Sequence, residues 1–224
     1  DWVKLMVSGG RITPGSDATR LQFDEPEVRA AADAAHAAGR RLAAHAHATA
    51  SIAAAVAAGA DSIEHCTWLG PDDTIVYDPA VAAQMAERSI YACPTTHLRF
   101  REVNSRRGAG WLEARLTTIG RMHAAGVPIA FGTDCGIPHV PHDRWAEGIV
   151  WLEHAGLSPV AALHAATGAA ARCLGLSAEV GTLTVGKRAD LIAVEGDPAR
   201  TLAALGPVRW VMQGGTIRVG ERAA

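Results

Sequence analysis

The feature that most constrains this chain is a pair of short apolar segments, each of which ends in a histidine. Leu42–Ala44 leads to His45. Asp61–Glu64 leads to His65, and the small residues of Ser51–Ala58 form a predicted helix between the two segments. This order predicts a β-α-β unit, whose helical crossover brings the ends of two parallel strands to one edge of the sheet. Two imidazoles on the same rim indicate a metal site.

The charge balance narrows the class of partner. Of the 224 residues, 21 are Lys or Arg and 23 are Asp or Glu, which gives a formal net charge of −2 without a basic stripe or an acidic tail. We therefore predict a small-molecule substrate, and neither nucleic acid nor an anionic membrane as a partner. No apolar run reaches the roughly 18 residues that a membrane span requires.

Cysteine and lysine usage adds two points. The four cysteines lie far apart without a Cys-x-x-Cys pair, which is typical of a reducing, cytoplasmic compartment. An upstream signal peptide stays open as an alternative, because the sequence begins within a predicted strand. Lys4 and Lys187 are the only lysines among the 21 basic residues. In so arginine-rich a chain a lysine indicates that a primary amine is needed, although Lys4 also suits an edge strand whose amine reaches water.

Strands and helices alternate along the first 131 residues. The pattern predicts five strands, at Trp2–Val7, Leu42–Ala44, Asp61–Glu64, Ile90–Cys93 and Val127–Phe131. Repeated β-α units imply a parallel sheet. Polar residues at the strand ends indicate an α/β fold that contains most of a (β/α)8 TIM-type barrel. The polar, aperiodic segment Leu98–Gly110 is predicted to be a long loop over the active rim.

The texture changes after the fifth strand. Helices are predicted near Arg144–Ala155 and from Ser158 to Leu174. Four short strands follow, at Gly181–Val185, Asp190–Val194, Val208–Gln213 and Thr216–Val219. We predict that residues 1–175 form part of the barrel, and that residues 176–224 supply strands of a small β-sheet domain.

Motifs in this order resemble the amidohydrolase superfamily, and within it the imidazolonepropionase-like and prolidase-like branch. The residues that carry the resemblance are Val3-Lys4 with Ser8-Gly9-Gly10, His45-Ala46-His47, Ser62-Ile63-Glu64-His65, Pro94-Thr95, Gly132-Thr133-Asp134, Gly181-Thr182-Leu183 and Gly186-Lys187-Arg188-Ala189-Asp190-Leu191. Each motif is weak alone, but the ordered set is specific and covers essentially the whole chain.

The resemblance implies a binuclear metal centre, usually of zinc, in which each residue has a role. Lys4 would be carboxylated on its amine and bridge the two metals, on what would be the fourth barrel strand. His45 and His65 would be the ligands of the fifth and sixth strands. Asp134, after the eighth strand, would bind one metal and act as the catalytic acid–base group. The implied reaction is hydrolysis of an amide, peptide or cyclic amide C–N bond by a metal-activated hydroxide.

The remaining histidines near the rim are candidate substrate contacts. Alternate residues of a strand face the same side, so His45 and His47 both qualify as ligands. We choose His45 because it follows the apolar strand directly, and we assign His47, which leans into the loop, to substrate or to a supporting contact. His97, His139 and His142 are further candidates for substrate binding, and a solvated loop histidine is the alternative for each.

One motif of the family has no counterpart in this sequence, and its absence leads to a second hypothesis about the function. The family's first strand carries a His-x-His pair ahead of the lysine strand, and Lys4 stands four residues from the start of the sequence. We therefore expect a C-terminal portion, with strands 4–8 of the barrel. The alternative to an active hydrolase is an incomplete or inactive half-barrel that needs the missing strands or a partner chain, in a homo-oligomer for example. A deaminase is a lesser alternative, because deaminases of the superfamily generally lack the bridging lysine.

Overall fold

Four parallel strands form the first sheet. The computed structural model of the protein describes residues 2–206 and 208–220. Strands β1 Trp2–Met6, β2 Arg41–Ala48, β3 Ser62–Leu69 and β4 Tyr91–Cys93 lie side by side in that order and pair in parallel. The connections carry the helices α1 Glu25–Ala37, α2 Thr49–Ala58 and α3 Pro79–Glu87. The predicted α/β class is confirmed, and the sheet has the arrangement of part of a TIM-type barrel.

The fifth predicted strand, Val127–Phe131, forms one bridge instead of a continuous strand. Ala92 and Ile129 make an isolated parallel bridge. The Ala92 amide donates to the Pro128 carbonyl over 3.0 Å, and the Ala130 amide donates to the Ala92 carbonyl over 3.0 Å. Proline has no amide hydrogen, so Pro128 interrupts the ladder. The segment continues the sheet in the predicted direction but not over the predicted length.

The later part of the chain is helical and then antiparallel. Its elements are α4 Phe100–Ser105, α5 Trp111–Ala124, α6 Ala146–His154, α7 Pro159–Ala166, α8 Gly168–Cys173, β5 Leu191–Val194, a 3₁₀-helix Leu202–Leu205, β6 Val208–Gln213 and β7 Thr216–Val219. The last three strands form an antiparallel sheet in the order β5-β6-β7. Part of a small C-terminal β-sheet, as predicted, is therefore present.

The chain divides into two compact units. The first comprises Asp1–Thr95 and Arg101–Ala130, and the second comprises Thr96–Phe100 and Phe131–Ala224. The parallel sheet with α1–α3 and α5 lies in the first unit, and α6–α8 and the antiparallel sheet lie in the second. The division into a barrel part, residues 1–175, and a small β-sheet domain, residues 176–224, stays a prediction.

Two helix predictions were wrong in detail. The segment Leu98–Gly110, predicted to be a loop, contains the helix α4. Phe100 at the start of α4 is buried, and Glu102 pairs with Arg106, the residue after the helix. The helix predicted from Ser158 to Leu174 breaks into α7 and α8 at Thr167, whose φ and ψ are −125° and −91°. The Thr167 hydroxyl donates to the Leu163 carbonyl over 2.7 Å, which satisfies the end of α7 and lets the chain turn.

The strand predicted at Gly181–Val185 is not formed in the part of the chain that the structure describes. Gly181 has a φ of 92°, and Gly186 one of 93°, so left-handed residues bound the segment at both ends. Leu183 and Val185 are 87% and 103% exposed. A strand needs a hydrogen-bonded neighbour, and among the described residues this segment has none.

Two further observations concern the cysteines and the helices. The four cysteines, all within the described residues, form no disulfide. Within residues 2–206 and 208–220, each helix is too short or too polar to reach across a lipid bilayer.

Candidate metal centre

Strand β2 carries two histidines on one face, because it extends four residues past the predicted end. It runs to Ala48, so that His45 and His47 are alternate residues of a continuous strand. The His45 carbonyl accepts from the amides of Val7 and Ser8 over 3.0 and 3.2 Å, and the His47 amide donates to the Ser8 hydroxyl over 2.9 Å. The expectation that His47 leans into the loop was wrong, since the turn after β1 holds this part of β2 in extended form.

Glycine is required in that turn by a close backbone approach. The Gly9 amide donates to the Asp17 carbonyl over 3.1 Å, and a Cβ on Gly9 would lie 2.4 Å from the same oxygen. No side chain fits at that distance. The Gly9 carbonyl in turn accepts from His45 Nε2 over 3.2 Å. The Ser8-Gly9-Gly10 motif therefore orients the first histidine of the cluster.

His65 reaches the cluster through a left-handed backbone. It pairs in register with Ala46, which by strand alternation faces away from His45. His65 has a φ of 66° and Cys66 a φ of 46°, conformations that cost a non-glycine residue about 1–3 kcal/mol each. The ring centroids of His45 and His65 are nevertheless 4.4 Å apart. The local break in β3 turns the His65 ring to the side of the sheet that carries His45.

The three imidazoles form a compact group in which His45 and His47 are buried and His65 is half-buried. Centroids of His47 and His65 are 4.4 Å apart and those of His45 and His47 are 4.8 Å apart. One ring nitrogen from each lies within 4.8 Å of the others. Nitrogens that share one tetrahedral Zn²⁺ lie about 3.4 Å apart, so the rings would move closer together to share one ion. His45 and His47 are 7% and 8% exposed.

Hydrogen bonds define the protonation of the His65 ring, and a hydroxyl lies beside the His47 ring. Thr95 Oγ1 donates to the Pro94 carbonyl over 2.8 Å, so its oxygen accepts the 2.9 Å hydrogen bond from His65 Nδ1. His47 Nδ1 lies 2.9 Å from Thr67 Oγ1. A proton on Nδ1 places the lone pair of the neutral ring on Nε2. Threonine partners of this kind orient imidazoles for metal binding.

Burial favours the neutral form that a metal requires. Desolvation, followed by the charges of His65 and His45, holds the pKa of His47 well below its usual range. Neutral imidazole is the ligand form of histidine, so burial keeps His47 in the form that can hold a divalent cation.

Lys4 lies in the neighbouring strand and is exposed. It pairs in register with Ala43, and Met6 pairs with His45, so alternation puts Lys4 on the same face of β1 as Met6. Its bridging role stays a prediction.

Asp134 and His97 belong to the second unit. Asp134 is exposed and left-handed, with a φ of 55°. His97 is 8% exposed, and its Nδ1 accepts from the Arg99 amide over 3.2 Å. Burial lowers the pKa of His97, and the negative charge of Asp134 opposes that shift. These two residues therefore interact electrostatically within the unit.

His139 and His142 follow on the same exposed loop. His139 has a φ of 64°, and both residues are exposed. The His142 ring packs near Gly136, where an added Cβ would meet it at 3.4 Å. Their assignment to substrate binding stays a prediction.

Sequence reasoning missed three residues that support the cluster. Thr95 accepts a hydrogen bond from the His65 ring, Thr67 Oγ1 lies 2.9 Å from His47 Nδ1, and Arg115 on α5 donates to the Cys66 carbonyl within β3. Pro94-Thr95 was noted as a family motif without a role. The sequence carries one signal for Arg115, which is its helical spacing. That spacing puts it on the same face of α5 as the buried residues Leu116, Thr118, Ile119 and Met122.

Residues 3–218 match the Amidohydrolase family. The chain belongs to this family. The resemblance seen in the sequence, including its prolidase-like and imidazolonepropionase-like character, is confirmed.

Three comparisons locate this amidohydrolase among its relatives. It is 30% identical to the ochratoxinase of Aspergillus niger over 210 residues, which cover 88% of this chain and 41% of the relative. It is 41% identical to the imidazolonepropionase of Aromatoleum aromaticum over 83 residues, 35% of this chain and 19% of that one. The structure of a Xaa-Pro dipeptidase with bound methionine superposes with a TM-score of 0.86 at 29% identity, covering 98% of this chain and 55% of that chain. This amidohydrolase therefore spans about half the length of these relatives, and less of the imidazolonepropionase.

Proposed function

We propose that this amidohydrolase hydrolyses C–N bonds with water held at a divalent metal centre. The observation that carries the proposal is the group of His45, His47 and His65 on two neighbouring parallel strands, with nitrogens within 4.8 Å of one another. A donor set of imidazoles suits zinc. When bound, the metal lowers the pKa of a coordinated water towards about 7 and polarises the scissile carbonyl.

The proposed roles of the ligands follow from the chemistry of each side chain. His45 and His65 hold the metal through nitrogens whose lone pairs the surrounding hydrogen bonds define. Lys4 is proposed to be carboxylated and to bridge a second metal, which requires a primary amine open to carbon dioxide. The exposure of Lys4 is compatible with that reaction, and an arginine would not support it.

Asp134 is the proposed acid–base residue, and its motif Gly132-Thr133-Asp134 supports the assignment. A carboxylate accepts a proton from the attacking water and returns it to the leaving amine. His97, whose pKa responds to the charge of Asp134, is proposed to contact substrate on the same unit.

The substrate class is proposed from the relatives. A Xaa-Pro dipeptidase and an ochratoxinase indicate a dipeptide, an acylated amino acid or a cyclic amide. The test is metal analysis of the protein at its natural length together with a screen of dipeptides, acylated amino acids and lactams. Two metal equivalents and turnover of one of these classes are expected. Deamination of a nucleobase or amine without amide hydrolysis would replace this function with the deaminase alternative.

Lys4→Arg tests the bridging role. The variant keeps the positive charge but has no reactive primary amine, so it should fold, lose the second metal equivalent and lose most turnover. Lys187→Arg, the same change at the other lysine, is the control and should keep both metals. Wild-type metal content and rate in Lys4→Arg would show that Lys4 is not the bridge.

The half-barrel is the second candidate, and the edge of the sheet favours it. Among the described strands, β1 pairs with β2 alone, and its residues Val3 and Met6 are 38% and 39% exposed. Open parallel edges favour association or aggregation. Residues 1–224 expressed alone should therefore be oligomeric or insoluble and bind at most about one metal. A monomeric, cooperatively unfolding, fully active 224-residue chain would exclude this candidate.

A further inference from the structure

Arg115 is a buried cation that binds the backbone in the middle of β3 and directly after β4. It lies on α5 and is 2% exposed. Its guanidinium donates to the carbonyls of His65, Cys66 and Pro94, at 3.1 Å for each of the last two. Burial lowers the pKa of Arg115 to about 10, so it keeps its charge at neutral pH. A planar guanidinium directs several donors at once. Here it connects Pro94, directly after β4, to His65 and Cys66 at the break in β3.

The carbonyls at this position need such a donor because the backbone leaves the sheet. His65 and Cys66 are left-handed, and the pairing of β2 with β3 shifts register between Ala46 and Ala48. A buried carbonyl that leaves its ladder requires another hydrogen-bond donor. Arg115 supplies donors to both left-handed residues, so it stabilises the conformation that turns the His65 ring to the cluster.

The same side chain acts on the far side of the His65 ring. The Pro94 carbonyl accepts from Arg115 and, over 2.8 Å, from the Thr95 hydroxyl. Because the Thr95 proton is committed to Pro94, its oxygen presents a lone pair to His65 Nδ1 at 2.9 Å. Thr95 itself is left-handed, with a φ of 50°. Arg115 therefore contacts the backbone of His65 directly and the partner of its ring through one residue.

We propose that Arg115 is a positioning residue, which together with Thr95 holds His65 as the Nδ1-protonated tautomer and directs Nε2 to the metal. The proposal rests on the proposed function, because only a metal centre requires Nε2 of His65 as a ligand. The tautomer of His65 itself can be measured without metal. A buried arginine that served packing alone would leave the tautomer unchanged when replaced.

Three variants separate the contribution of Arg115 from that of Thr95. Arg115→Met removes all donors at similar length, and Thr95→Val removes the hydroxyl at the same size. Arg115→Lys keeps the charge without the fork, and should lie between wild type and Arg115→Met. The matched controls are Arg121→Met, an exposed arginine of the same helix that lies over the Tyr77 ring, and Thr118→Val, a buried threonine that bonds within that helix.

The first readout is ¹⁵N NMR of the histidine rings in the metal-free protein at its natural length. Wild type and both controls should show His65 protonated on Nδ1, whereas Thr95→Val and Arg115→Met should show a mixture with the Nε2-protonated form. The second readout is Zn²⁺ affinity by competition with a chelator. It should fall by about 10- to 100-fold in Thr95→Val and Arg115→Met, the scale for losing a supporting partner of a ligand, and stay at the wild-type value in the controls.

The outcomes are distinguishable from failure of the metal centre itself. If wild type binds no Zn²⁺, the proposed function fails, and the NMR tautomer alone decides whether Arg115 and Thr95 position His65. If Arg115→Met does not fold, Thr95→Val and Arg115→Lys carry the test. An unchanged His65 tautomer with unchanged Zn²⁺ affinity in Thr95→Val and in the folded Arg115 variant would overturn the proposal.

Discussion

The histidine cluster and the Asp134 loop both carry residues of the predicted site, and they are held very differently. His45 and His47 lie within β2, less than a tenth exposed, and each ring bonds to a carbonyl or a hydroxyl. Asp134 is exposed on an irregular segment of the second unit. Pairing within a sheet and burial fix the histidine rings, whereas an exposed loop leaves a side chain fewer contacts that fix its orientation.

The largest expected effect comes from removing a ring of the cluster. His65→Asn should lower metal affinity and reduce turnover by about 10³-fold, because the several kcal/mol of stabilisation that a bound metal supplies would be lost. His123→Asn, an exposed histidine on α5, is the control. Metal content by emission spectroscopy and steady-state kinetics are the measurements. Full metal content in His65→Asn would remove His65 from the centre.

Asp134→Asn should separate chemistry from metal binding at the cluster. The amide keeps the shape but removes the base, so turnover should fall by about 10²-fold while the histidines keep a metal. Asp143→Asn, another exposed aspartate of the same segment, should have the wild-type rate. A near-normal rate in Asp134→Asn would move the base to another residue, with His97 the first candidate.

Gly148→Ala should show how tightly the second unit is packed around His97. An added Cβ would lie 2.4 Å from the Thr96 carbonyl oxygen and 3.2 Å from the His97 Cα, so α6 must shift. The free energy of unfolding should fall by about 2 kcal/mol, a typical value for overpacking. Gly206→Ala is the control, since its Cβ would meet nothing closer than 3.5 Å. Equal midpoints of denaturation in the two variants would contradict this packing.

Thr67→Val should have the smallest effect and tests the partner of His47. It removes the hydroxyl 2.9 Å from His47 Nδ1 without a change of size, and should weaken metal binding by about tenfold. Thr118→Val is again the control. If Thr67→Val binds metal as tightly as wild type while Thr95→Val does not, His65 is the ligand whose orientation matters, and His47 serves substrate or support, as the sequence predicted.

Much of the fold was readable from local pattern. The pattern Asp24-x-x-Glu27 is a capping box that starts α1, and β6 and β7 have the predicted bounds. The strands β2 and β3 were predicted too short, because the polar histidines ended the apolar runs. Their extension depends on pairing with neighbours that are distant in sequence. Gly181–Val185 failed for the opposite reason, because an apolar segment without a neighbour does not form a strand.

The sequence by itself determined the family, the parallel order of the first strands and the presence of histidines on two of them, because alternation, capping and motif spacing are local properties. Only the tertiary structure decided that His47 joins His45 in one strand and that left-handed residues turn His65 to the same rim. It also decided that Arg115, 50 residues from His65 along the chain, binds the carbonyls there. A left-handed histidine and a buried arginine are each unfavourable alone. They become stable when packing brings the guanidinium donors to carbonyls that have left the strand pairing. That contact joins residues far apart in the sequence, so no local pattern predicts it.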